Sequence, residues 1–199
     1  MGFQKGENPH RPAPGSSIKV QPIRLKKDIE TIKNNLADNP RDLCLFVLGI
    51  NTAFRANELL SIRAGQVRDL KVGDVLDLRQ SKTKAYRQVT LNRKGVEAIQ
   101  GLLRSRSFEA DDFLFFSRWG DRLGVPEVSR KVKGWCQDIR LDGNYGSHSL
   151  RKTWGFWQYK RGTPIPLLME AFGHQTQRQT MAYLGIQAME VAQIFEMEL

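Results

Sequence analysis

Two cysteines, three histidines and four tyrosines are spread over 199 residues, and the scarcity of each narrows what the chain can do. Cys44 and Cys136 stand far apart and neither belongs to a metal-ligand spacing, so neither a disulfide framework nor a zinc or iron site is written into the sequence. Cys44 lies inside an apolar run and reads as a small core residue. Long apolar runs are also missing. The longest, LCLFVLGI from Leu43 to Ile50, is too short to cross a bilayer. The first residues hold no apolar stretch of the signal-peptide kind, and no internal repeat is present. These shortages point to a cytoplasmic protein without a membrane partner.

Acidic residues are the other shortfall. Asp and Glu number 21 against 31 Lys and Arg, a net charge of +10. Such an excess favours a polyanion, with nucleic acid ahead of a membrane surface. The length suits one sizeable core and short appendages.

Residues 1–21 carry Pro9, Pro12, Pro14 and three glycines with no apolar period, the pattern of a flexible tail. From Pro22 the spacing of Ile23, Leu25, Ile29, Ile32 and Leu36 predicts a helix, ended by Asn39-Pro40. The Leu43–Ile50 run predicts a second helix buried all round, and a third starts near Ala56 with Leu59, Leu60 and Ile62. The period then changes. In DVLDLRQ, Val75, Asp77 and Arg79 alternate with Leu76 and Leu78, and YRQVTL follows the polar break SKTK: a hairpin, with Gln66-Val67 as a third short strand. Helical patterns return from Arg93 and run to the C-terminus. The fold class is therefore mainly α with a small antiparallel β-sheet.

Six side chains stand out for chemistry: Arg55 at the start of the third helix, Lys82 in the hairpin turn, His148 and Arg151 three apart on a helix face, His174 after Gly173, and Tyr183 nine residues later. Each alone has an ordinary explanation as a surface charge or a core aromatic. Together they are a set for cleaving a phosphodiester without a metal. Two guanidinium forks can hold the non-bridging oxygens as negative charge builds on them. A tyrosine hydroxyl can attack phosphorus and form a covalent link. Its pKa of about 10 calls for a base, which a histidine supplies. A lysine can protonate the departing oxygen. No Asp/Glu cluster of the Mg²⁺-binding sort stands beside them, so neither metal nor cofactor is expected.

The order Arg … Lys … His-x-x-Arg … His … Tyr resembles the tyrosine recombinase, or phage integrase, family. TAFRANELL supplies Thr52, Arg55, Glu58 and Leu59 of that family's first motif. Ala53 stands where Gly is usual, a change of small cost unless the backbone there takes a positive φ. QSKTK places the hairpin lysine at Lys82, with Lys84 as the alternative. His148 and Arg151 match the His-x-x-Arg, FGH matches the family's Leu-Gly-His with Phe172 for Leu, and Tyr183 follows at the family's spacing. The resemblance covers a catalytic domain from 22 to 185.

It implies the tyrosine recombinase catalytic-domain fold and a nucleoid-associated enzyme that cleaves and rejoins double-stranded DNA through a 3′-phosphotyrosyl link. Arg55 and Arg151 would clamp the phosphate, His148 and His174 would assist proton transfer, and Lys82 would protonate the leaving oxygen. It implies a homotetramer on paired DNA sites, with the largely apolar segment 186–199 exchanged between protomers. The family usually carries a DNA-clamping domain before the catalytic one. Only a short tail precedes it here, so the chain is expected to be a fragment or a single-domain member, like the short fimbrial phase-switch invertases, and to bind DNA weakly. The rivals are a relaxing activity of the type IB topoisomerase kind, a DNA-binding regulator without chemistry, and an RNA-binding module.

Overall fold

A computed structural model of the chain describes residues 20–79 and 86–185. Nine helices and one hairpin are assigned within them: α1 Lys26–Asn35, α2 Pro40–Gly49, α3 Ala56–Leu60, α4 Ala64–Val67, β1 Val75–Arg79, β2 Tyr86–Thr90, α5 Arg93–Ser105, α6 Val125–Asp138, α7 Ser147–Lys160, α8 Ile165–Phe172 and α9 Gln177–Leu184. Most of residues 1–21, the hairpin turn with Lys82 and Lys84, and the segment 186–199 lie outside the described residues.

The first helix starts four residues later than the apolar period predicts. Ile23 is fully buried in extended chain: its N–H donates to Thr153 Oγ1 at 2.8 Å and its carbonyl accepts from Trp157 Nε1 at 3.2 Å. With both backbone groups of Ile23 committed to α7, no helical hydrogen bond can form there. α2 starts at Pro40, whose missing N–H costs nothing in the first turn, and the Asn39 side chain caps it by accepting from Asp42 N. Its apolar residues are buried around its circumference. Gly49 lets α7 approach closely, because a Cβ there would stand 2.9 Å from Leu150 Cβ.

Gln66-Val67 is not a strand. It closes the single turn of α4, in which Gln66 Oε1 accepts from Arg63 N at 2.7 Å and Val67 packs into the core. The hairpin forms as its alternation predicts. β1 and β2 pair antiparallel, Leu76 opposite Val89 and Leu78 opposite Arg87, with Leu76 and Leu78 buried. Among the described residues no helix is long and apolar enough to cross a membrane. Both cysteines are free and buried, and burial pushes the Cys136 thiol up to about 12.

Two apolar cores result. The larger joins α1–α7 and the hairpin. The smaller is built from Ala53, Leu168, Phe172 and Leu184, with Trp154, Tyr159, Ile165 and Tyr183 packed against it. It fixes α8 and α9 on α7. Gly155 makes that packing possible, since a Cβ there would run into the Phe172 ring and come within 2.6 Å of Leu184 Cδ2.

Candidate active site

The site grows out of the end of α8. Gly173 takes left-handed dihedrals (φ 61°, ψ 42°), Gly173 N donates to Glu170 O, and His174 N donates to Met169 O, both at 2.9 Å. These bonds close the helix as a Schellman turn. They leave the carbonyls of Ala171 and Phe172, at the negative end of the helix dipole, for other donors. Three arginines take them. Arg151 Nη2 donates to Phe172 O at 2.6 Å and Arg55 Nη2 to the same oxygen at 3.5 Å. Arg87 Nη2 donates to Ala171 O.

One carboxylate lies among these guanidiniums. Glu58, 8% exposed, reaches back from α3 to accept from Arg55 N at 2.6 Å. Its oxygens also stand 3.1 Å from Arg55 Nη1, 4.0 Å from Arg87 Nε and 4.0 Å from Arg151 Nη1. Three positive charges against one negative leave the cluster cationic, which suits an anionic ligand. Arg151 is the most deeply placed of the arginines, 3% exposed. Burial pulls its guanidinium down to about 10, against a stabilising interaction with Tyr183, so it stays charged at neutral pH.

His174 and Tyr183 follow the turn. The His174 ring stacks on Phe172, with centroids 5.1 Å apart, and meets the edge of Tyr183 at 5.1 Å. Its Nδ1 lies 3.0 Å from Thr180 Oγ1, and the Thr180 hydroxyl donates to Thr176 O at 3.5 Å. That chain assigns the proton to Nδ1 and leaves Nε2 with a free lone pair. Burial, then the charges of Arg151, Arg55 and Arg87, hold His174 below the usual imidazole value. His148, one turn before Arg151, is exposed where Arg151 is buried. It is lowered by partial desolvation of its ring and by Arg151, Lys152 and Arg55.

Tyr183 sits on α9, against Phe172 and under Lys152, whose Nζ is 4.9 Å from the ring centre. Burial raises its phenol above the ordinary value, and Arg151 and Arg55 oppose that rise. Its hydroxyl and Arg151 Nη1 are buried and have no hydrogen-bond partner among the described residues. Leaving a buried polar group unpaired costs about 1–3 kcal/mol, and the two fall in one cluster. A cleft of about 610 Å³ opens behind the turn, lined among others by Thr52, Ala53, Arg87, Trp154 and Ala171. None of the predicted site residues among those described lines it.

Of the six side chains singled out in the sequence, the structure draws Arg55, Arg151, His174 and Tyr183 together, with His148 at their edge. Lys82 is outside the described residues. Reading the sequence for chemistry passed over Arg87 entirely, treated Glu58 only as part of a motif, and missed Thr180. Arg87 carried a signal: opposite Leu78 on the hairpin, it is a charge on the apolar face.

A helical domain with one described hairpin and this cluster at the end of a helix has the tyrosine recombinase catalytic fold, and comparison with known proteins agrees. Residues 24–190 match the phage integrase family, and the chain belongs to that family. It is 31% identical to the "Probable integrase/recombinase YoeC" of Bacillus subtilis (strain 168), over 84% of this chain and 90% of that one. It is 24% identical to "Tyrosine recombinase XerC" of Haemophilus influenzae (strain 86-028NP), over 97% of this chain and 68% of the relative. Among solved structures, XerA recombinase superposes with a TM-score of 0.70 at 17% identity, covering 88% of this chain. XerH recombinase in a post-cleavage complex with a palindromic difH substrate superposes at 0.68 and 22%, covering 91%. The chain spans 65% and 55% of those two solved chains.

Proposed function

We propose that the chain is a site-specific DNA recombinase that cleaves and rejoins strands through Tyr183. The reading rests above all on the Tyr183 hydroxyl and Arg151 Nη1, buried without a hydrogen-bond partner among the described residues, beside a cluster with net positive charge. A phosphate oxygen placed between them meets both needs. Arg55 and Arg151 hold the two non-bridging oxygens. The Tyr183 oxygen attacks phosphorus and forms the O–P bond as the bond to the 5′-oxygen breaks. The phenolic proton passes to a neutral imidazole, His174 Nε2 being free for it. Lys82 gives its proton to the departing 5′-oxygen. A 3′-phosphotyrosyl bond and a 5′-hydroxyl result, and the reverse reaction with another 5′-hydroxyl rejoins the strands. The same reading places the enzyme on nucleoid DNA as a homotetramer, with 22–185 as the catalytic domain, 1–21 as a tail, and 186–199 docking on a neighbour.

The relatives carry integrase and recombinase names, which supports strand exchange over simple relaxation. The test uses a pool of duplexes of randomised sequence, each nicked near its centre. A short 5′-hydroxyl fragment then diffuses away and the covalent complex is trapped. The wild-type chain should yield a denaturant-resistant adduct, mapped to Tyr183 by peptide mass, and its recovered DNA gives the substrate. Tyr183→Phe should form no adduct and bind that DNA within about threefold, since only a hydroxyl is lost. An adduct formed by the Phe variant would assign the attack to another tyrosine and end this reading.

A further inference from the structure

From the way Arg87 is held, we infer that it is a positioning residue for strand cleavage, the link that sets both the phosphate-holding arginines and the His174 turn from the hairpin side. This inference rests on the recombinase reading above. Arg87 points to the buried side of the hairpin, opposite Leu78, and its side chain is 11% exposed. A guanidinium on an apolar sheet face is costly unless its hydrogen-bonding groups are matched. Its described contacts are two. Nη2 donates to the carbonyl of Ala171, and Nε faces Glu58 Oε2 at 4.0 Å.

One of these partners is shared with the arginines that face the phosphate, and the other adjoins the carbonyl they use. Ala171 directly precedes Phe172, whose carbonyl accepts from Arg55 and Arg151. Glu58 is the carboxylate that also faces Arg55 and Arg151. Arg87 thus holds, from β2, the carboxylate that the other two forks face and the peptide carbonyl just before the one they bond. Without it, Glu58 is balanced by two cations in place of three and draws them inward. The last turn of α8 also loses a donor just before Gly173, where His174 is aimed at Tyr183. The role suits a planar fork, because Nη2 meets a carbonyl while Nε faces a carboxylate. The compact ammonium of a lysine has donors enough but not their fixed spacing. Arg87 also adds, behind burial, Arg151 and Arg55, to what holds His174 below the usual imidazole value.

The test compares the wild type with Arg87→Lys and Arg87→Gln in the full chain, on the nicked duplex recovered with the wild type. Three quantities are read: single-turnover cleavage at saturating protein, DNA affinity, and the pH dependence of cleavage. Arg87→Gln should cleave about 100-fold more slowly, the scale of a small misplacement of reacting groups, with affinity within about threefold of the wild type. Arg87→Lys should fall between. In the Gln variant a cation near His174 is gone, so the acid limb of the pH profile should move to higher pH. In the Lys variant it should stay. A residue that merely braces the fold would not move that limb selectively. Cleavage by Arg87→Gln within threefold of the wild type, or an unmoved acid limb, overturns the assignment. Should the Gln variant lose its helical circular dichroism, the Lys variant decides, and wild-type cleavage by it overturns the assignment. A wild-type chain that forms no adduct overturns the recombinase reading instead.

Discussion

Arg151 carries its charge and its fork in one side chain, and Arg151→Lys separates them. The variant keeps a positive charge at a site 3% exposed, so DNA affinity should hold to within about threefold. It loses the paired donors, one of which now ends on Phe172 O. Cleavage should fall by about 100-fold or more, as when one transition-state donor is removed elsewhere. Equal loss in binding and cleavage would make Arg151 a DNA-positioning residue. The histidines give a second expectation. His174 and His148 are both held below the usual value of about 6.5. The neutral, proton-accepting form therefore persists to lower pH than in a free imidazole. Cleavage should fall on the acid side only at a lower pH than a free imidazole would give. Rates that already halve near pH 7 would contradict this. At this scale the sequence carried the side chains with distinctive chemistry. It did not carry the acceptors they share, because a main-chain oxygen such as that of Phe172 has no residue type to announce it.

The α8–α9 unit depends on close approach to α7. Gly155→Ala puts a methyl group into the Phe172 ring and Leu184. Overpacking of this kind costs about 1–3 kcal/mol, and the strain is relieved by moving α8 and α9, which carry His174 and Tyr183. Thermal unfolding should come earlier and adduct formation should drop further than stability alone explains. An alanine variant that cleaves normally would show that the helices tolerate the shift. Ala53, before α3, holds φ at 55°, so the backbone does take the positive φ that makes glycine the easier residue there. Relief of left-handed strain, about 1–2 kcal/mol, opposes loss of a buried methyl worth about 0.8 kcal/mol. Ala53→Gly should leave unfolding free energy within about 1 kcal/mol of the wild type, whereas Ala53→Val, β-branched at the same dihedrals, should lose more. Denaturant titration of the three chains decides. α2 was legible because its apolar run follows the Asn39-Pro40 break, and α5 because its helical pattern starts just after the hairpin. The start of α1 and the turn of α4 were not, because partners distant in sequence decide them: Thr153 and Trp157 for Ile23, and the core for Val67.

Over the whole molecule, a net charge of +10 makes DNA binding an exchange of counterions. The logarithm of affinity should fall against the logarithm of salt concentration by about 0.9 for each phosphate neutralised. Filter binding of an unrelated duplex from 50 to 200 mM salt should show that fall, and a flat response would argue against a phosphate-led interface. The residue order from Arg55 to Tyr183 made the family visible from sequence because these side chains are spread over most of the chain. The acceptor at their centre is of another kind. The oxygen that Arg55 and Arg151 share on Phe172 belongs to the peptide, so no codon change can delete it. A change of side chain at 172 disturbs the small core yet leaves the two arginines their acceptor, whereas Tyr183 is a single base from silence. A descendant that lost the hydroxyl would therefore inherit an intact, still cationic fold, and the route by which such a gene decays leads through a stable DNA-binding protein.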